Sequence, residues 1–129
     1  MARVLVVEDN PANMTLATFL LESAGHTVLK ASDAETGVAL AGAEQPDLIL
    51  MDIQLPGMDG LKATGLLKAD PLTRDIPVIA LTALAMKGDE ERIRAAGCDG
   101  YIAKPLSYKD FLATVSGELG KRAAASTKT

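Results

Sequence analysis

Cysteine is nearly absent from this chain. Cys98 stands alone, which excludes an internal disulfide and any Cys-x-x-Cys metal or redox motif. It follows Ala95-Ala96-Gly97, where a helix is expected to end, and a small apolar side chain buried as filler is the expected role rather than a reactive thiol. Histidine is equally scarce. His26 lies in the Gly25-His26-Thr27 turn with no other ligand type nearby, and is expected to be an exposed turn residue. A chain with that single imidazole is a poor phosphohistidine carrier, so any phosphoryl group that it handles comes from outside. Tryptophan is missing, and only two tyrosines and two phenylalanines are present. Of these, Tyr108 and Phe111 are expected to pack in the core or at its rim.

Positive charge is also short. Thirteen Lys and Arg against seventeen Asp and Glu give a net charge of −4, with a pI near 4.9, so there is no electrostatic footprint for nucleic acid. No apolar run approaches the roughly 18 residues that a membrane span needs. A signal peptide is not expected, because Met1 leads within a few residues into an apolar strand, and the expected compartment is the cytoplasm. The P-loop pattern is missing, so ATP is not the expected direct donor of phosphate. With 129 residues and 48% hydrophobic content the chain can fill one core, and nothing divides it into two domains.

What is present is a set of short apolar runs ending in polar residues. Val4-Leu5-Val6-Val7 ends in Glu8-Asp9, and Leu48-Ile49-Leu50-Met51 ends in Asp52. Val78-Ile79-Ala80-Leu81 ends in Thr82, and Gly100-Tyr101-Ile102-Ala103 ends in Lys104-Pro105. Such runs, separated by helix-like segments, read as buried parallel strands, and open α/β sheets bind ligands beyond the carboxyl ends of their strands. Carboxylates crowded there favour either protonation or capture of a hard cation, and a few carboxylate oxygens suit Mg²⁺. A hydroxyl and an ammonium beside them complete a set that binds a phosphoryl group. Taken singly, each acid could be a helix cap. Five polar residues at four strand ends point to one site.

With these residues in that order, the chain resembles the receiver domain of two-component response regulators, from about Arg3 to Leu119. The resemblance implies an α/β fold of the flavodoxin-like kind, a doubly wound (βα)5 three-layer sandwich with parallel strand order 2-1-3-4-5. It implies Asp52 as phosphoacceptor. Asp9 is then a direct ligand of Mg²⁺ or Mn²⁺, Glu8 a ligand through water, and the backbone carbonyl of Gln54 a further ligand. Thr82 and Lys104 would bind phosphoryl oxygens, with a cis Lys104-Pro105 bond helping to aim the lysine. Tyr101 occupies the position of the aromatic switch residue. The implied partners are histidine kinases and histidine phosphotransferases, met through the fourth helix, the Tyr101 strand and the fifth helix. A monomer is expected, with a weak dimer as the alternative. The implied role is that of a signalling domain rather than an enzyme, at most catalysing its own phosphotransfer and dephosphorylation. Met51-Asp52-Ile53-Gln54-Leu55-Pro56 and the stretch Thr82 to Arg92 are most similar to single-domain cell-polarity regulators and to receivers carried by hybrid histidine kinases.

Two other classes are disfavoured by particular residues. A haloacid-dehalogenase phosphatase needs Asp-x-Asp, and here the second position is Gln54. A flavodoxin-like cofactor binder needs a phosphate-cradling loop after the first strand, where Glu8-Asp9-Asn10-Pro11 would repel phosphate.

Punctuation predicts the helices. Asn10 caps a helix starting at Pro11 and ending at Gly25, with Met14, Ala17, Leu21 and Ala24 on one face. Ser32-Asp33-Ala34-Glu35 has capping-box spacing for a second helix, running to about Glu44 before Pro46. Asp59 starts a third, which stops near Pro71, and Gly65 inside it costs roughly 1 kcal/mol against Ala. A fourth begins between Met86 and Asp89 and ends before Gly97; its acidic start, Asp89-Glu90-Glu91, is expected to be solvated. Ser107 caps a fifth, carrying Phe111, Leu112, Val115 and Leu119. A receiver domain is thus expected over 1–120. The small and polar residues of 121–129 are expected to form a disordered tail, with no output domain encoded. A stand-alone regulator is the favoured reading, and a receiver excised from a hybrid kinase or a longer regulator is the alternative.

Overall fold

Five apolar runs become five parallel strands in the computed structural model, which describes residues 2–55, 57–82, 87–103 and 108–127. They are β1 (Arg3–Val7), β2 (Thr27–Ala31), β3 (Leu48–Asp52), β4 (Val78–Thr82) and β5 (Gly100–Ala103), alternating with α1 (Pro11–Ser23), α2 (Ala34–Glu44), α3 (Gly60–Ala69), α4 (Lys87–Ala95) and α5 (Tyr108–Thr127). The sheet order is β2-β1-β3-β4-β5, as expected. Winding therefore reverses at β1, and helices cover both faces. Every residue of β3 and β4 is buried, which is why these strands read as unbroken apolar runs rather than as alternating ones.

Side-chain alternation along the strands divides the core in two. Leu5, Val7, Ile49, Met51, Val78 and Ala80 meet α2, α3 and α4 through Ala34, Ala41, Ala63, Leu67 and Ile93. On the other face Val4, Val6, Leu48, Leu50, Ile79 and Leu81 meet α1 and α5 through Ala17, Leu20, Leu21, Phe111 and Val115. Cys98 is buried in the first cluster, where burial pushes its thiol pKa up, as suits inert filler. At the sheet's amino end Lys68 donates to the carbonyls of Arg74 (3.2 Å) and Ile76 (2.9 Å) and pairs with Asp99 at 3.1 Å, joining α3 to the starts of β4 and β5.

Helix ends follow the predicted punctuation with two exceptions. Asn10 caps α1 by accepting from Asn13 N–H at 3.1 Å, and Gly25 follows it at φ 91°, which a residue with a Cβ rarely adopts. Asp59 caps α3 by accepting from Lys62 N–H at 2.8 Å. For α2 the cap is Asp33 rather than Ser32. Asp33 Oδ1 accepts from Thr36 N–H at 2.7 Å, and this bond lowers the Asp33 pKa because it favours the carboxylate. On α1 the buried face is Ala17, Thr18, Leu20 and Leu21, while Ala24 is the exposed C-cap. The cap expected at Ser107 lies outside the described residues, and α5 runs to Thr127, so that its last turns occupy residues expected as a disordered tail from 121.

His26 is half-buried rather than exposed, and its Nδ1 accepts from Ala2 N–H at 3.2 Å. Burial lowers its pKa, and the hydrogen bond needs the same neutral imidazole. Because the unfolded chain takes up this proton first, stability is full above the unfolded pKa of His and declines as pH falls through it towards the folded value. Urea midpoints should show a small decline below about pH 6.5 that disappears in His26→Gln. Phe111→Ala empties a fully buried site between α5 and the sheet, and urea denaturation should show a loss of about 3–5 kcal/mol.

Candidate functional site

Strand register assembles the acids. Val7 of β1 pairs with Met51 of β3, so the next residues, Glu8 and Asp52, stand level at the carboxyl edge. Asp52 in turn pairs with Leu81 of β4, placing Thr82 one step further out on the next strand. Glu8 and Asp52 are nearly fully buried, Asp9 is exposed, and one carboxylate oxygen from each of the three lies within 4.8 Å of the others. Among the described residues this is the group of side chains that could hold a metal ion.

Backbone amides orient two of the acids. Asn10 N–H donates to Glu8 Oε2 at 3.2 Å, and Gln54 N–H donates to Asp52 Oδ1 at 2.9 Å. Both bonds span two residues, so each acid is tied down by the turn that follows its own strand. The donor set fits a hard cation: three carboxylates, one facing solvent, suit Mg²⁺ or Mn²⁺, which keeps several waters. Two buried carboxylates this close repel each other unless a positive charge sits between them.

Thr82 is fully buried at the end of β4, and Tyr101 is half-buried on β5. Tyr101 pairs with Ala80, two residues before Thr82, so the two side chains leave the same face of the sheet. Tyr101 Oη lies 3.4 Å from Glu90 Oε2 on α4, and Glu90 also pairs with Arg94 at 3.5 Å. Glu90 therefore does more than solvate a helix start. The signal for this contact is tertiary and could not be read from an acidic run. Lys104, with its expected cis bond to Pro105, lies outside the described residues, as does the loop after Thr82. Gln54 is exposed beside Asp52. Sequence reading missed Gly60, which abuts the Asp52 peptide; the Asp59-Gly60 pair signalled only a helix start.

Comparison with known proteins agrees with this geometry. Residues 4–116 match the response regulator receiver domain. The polar-differentiation response regulators DivK of Brucella anthropi and Brucella ovis are each 50% identical over 117 residues, covering 91% of this chain and 95% of theirs. Among solved structures, the receiver domain of sensor histidine kinase PA1611 from Pseudomonas aeruginosa is 38% identical with a TM-score of 0.86, covering 92% of this chain and 98% of that one. That structure holds a magnesium ion coordinated in its active-site cleft. Chemotaxis protein CheY4 of Vibrio cholerae is 26% identical with a TM-score of 0.85, over 90% of this chain and 97% of its own. The chain belongs to the response regulator receiver family, a family of signalling domains.

Removing one of three crowded charges relieves repulsion and takes away one oxygen of the cluster that could hold a metal ion. Asp52→Asn should melt higher than the unaltered protein in EDTA, and Mg²⁺ should raise its midpoint less. In the unaltered protein, Mg²⁺ at a hundred times its Kd should add about 2.7 kcal/mol, measurable by calorimetric melting.

Proposed function

We propose that this receiver accepts a phosphoryl group on Asp52 from a phosphohistidine of a histidine kinase or phosphotransferase. The observation that carries this reading is the position of Asp52, a buried carboxylate at the end of β3 within 4.8 Å of Glu8 and Asp9 oxygens. Glu8, Asp9, Asp52 and the Gln54 carbonyl would hold Mg²⁺ or Mn²⁺, and the bound ion would supply positive charge that offsets the charge on the transferring group.

Each residue has a definable share of the step. Gln54 N–H holds the Asp52 carboxylate plane by its bond to Oδ1. An Asp52 oxygen attacks phosphorus in line with the departing imidazole; the P–O bond forms as the P–N bond breaks, and the imidazole leaves with that electron pair and keeps a proton. The Thr82 hydroxyl donates to one phosphoryl oxygen, and the Lys104 ammonium, by family resemblance, neutralises another. The product is an acyl phosphate.

Phosphorylation gives Thr82 a charged acceptor, and Tyr101 on the same sheet face is the element that responds. The packing of Tyr101 against Glu90 of α4 supports a surface of α4, β5 and α5 whose shape is biased by phosphate and read by partner kinases or phosphotransferases. The match to DivK over 95% of its length supports the single-receiver reading over a receiver excised from a hybrid kinase. Among the described residues no helix is long and apolar enough to cross a membrane, and we take the site of action to be the cytoplasm.

Labelled phosphate from phosphohistidine donors of the host should transfer within seconds to this protein with Mg²⁺, and transfer to Asp52→Asn should fall at least about a thousandfold, beyond what loss of a hydrogen-bond donor explains. Equal labelling of the variant would sink the assignment.

A further inference from the structure

Gly60, the first residue of α3, is buried against the backbone at the carboxyl end of β3. A Cβ built there would overlap the carbonyl oxygen of Asp52, and would lie 2.7 Å from Ile53 Cα and 2.8 Å from Asp52 C. All three are backbone atoms, so nothing can rotate away. The case differs from Gly37, where the nearest atom to a new Cβ is Val7 Cγ2 at 2.6 Å, a side chain. It differs also from Gly65 in the same helix, where a Cβ meets nothing within 4 Å. Gly60 lies in ordinary helical backbone, so the need for glycine here is close approach rather than a left-handed φ.

Three bonds hold this seat. Gly60 N–H donates to the Ile53 carbonyl at 3.3 Å, closing the loop that begins with Ile53-Gln54. Asp59 caps the same turn through Lys62 N–H, and the buried Thr64 hydroxyl donates to the Gly60 carbonyl at 2.8 Å. The peptide pinned by this turn carries Asp52 on one side and leads to Gln54 on the other.

We propose that Gly60 is a positioning residue for the acid site: the missing Cβ lets α3 press on the Asp52–Ile53 peptide and sets where the Asp52 carboxylate and the Gln54 carbonyl point. The inference rests on the reading that these two groups hold the cation. A Cβ at position 60 shifts both at once, whereas a change in core packing alone would alter stability and leave ion binding intact.

Mg²⁺ affinity by titration calorimetry, urea stability, and the initial rate of labelling by a small acyl phosphate separate these outcomes. Gly60→Ala should weaken Mg²⁺ binding about tenfold or more, the size of effect seen when a group that orients metal ligands is lost, and should slow labelling in step. Gly65→Ala, with the same atom added to the same helix, should match the unaltered protein in both. If Gly60→Ala folds and binds Mg²⁺ normally, the positioning role is wrong. Should it not fold, Asp59→Ala loosens the same turn without adding an atom, while Asp59→Asn keeps the cap and removes the charge. Weaker Mg²⁺ binding in Asp59→Ala than in Asp59→Asn supports the role, and equal binding overturns it. An unaltered protein that neither binds Mg²⁺ nor takes label would instead overturn the reading of the site, and the positioning role with it.

Discussion

Three carboxylate oxygens within 4.8 Å of one another, two of them from nearly buried side chains, form an arrangement that mutual repulsion opposes and strand register holds. Neither burial nor repulsion favours it, so it must be imposed. The imposing element is the register of β1 against β3, which sets Glu8 level with Asp52 whatever their charges prefer. Two apolar layers secure that register, because slipping either strand by one residue would turn its core side chains to the wrong face. The core packing thus carries the cost of bringing the three acids together.

The turns after the strands refine what the register sets. Asn10 N–H and Gln54 N–H bind the acid two residues before them, and Gly60 brings α3 onto the Asp52 peptide. A carboxylate that is both buried and tied by its own turn loses rotamer freedom in advance, which suits the in-line attack proposed for Asp52. Thr82 and Tyr101 extend from the same sheet face, and Tyr101 reaches Glu90 on α4. The carboxyl edge of β4 and the solvent-facing helix α4 are thereby linked through one strand pair and the Tyr101–Glu90 contact.

Relatives share this frame at different depths. DivK of Brucella species shares half its residues with this chain, whereas Vibrio cholerae CheY4 keeps the backbone arrangement at 26% identity. Conserving the fold at that distance agrees with a sheet whose pattern asks only for apolar residues of suitable size, while the ends of the strands carry the chemistry.

Much of this was legible beforehand, for reasons that can be named residue by residue. Unbroken apolar runs announce strands buried on both faces, and Asn10-Pro11 and Asp59 announce helix starts, because these signals are local and act within a turn or a strand. The acids at strand ends were visible for the same reason. Ser32 and Asp33 compete for one cap, and their order in the sequence does not say which side chain reaches Thr36 N–H. His26 looked like an exposed turn residue because its partner, Ala2, is distant in sequence. Glu90 looked solvated because Tyr101 approaches from another strand. Gly60 drew no notice in the sequence because the atoms that exclude a Cβ belong to the end of β3 and the residue after it. By itself, then, the sequence determined the elements, the family and the residues that carry charge to the sheet edge, since periodicity, capping and residue type are properties of neighbours along the chain. Only the tertiary structure decided which oxygens come within reach of one another, which acid is buried and which backbone must yield to a glycine, because those depend on register and packing between segments that the chain brings together only on folding.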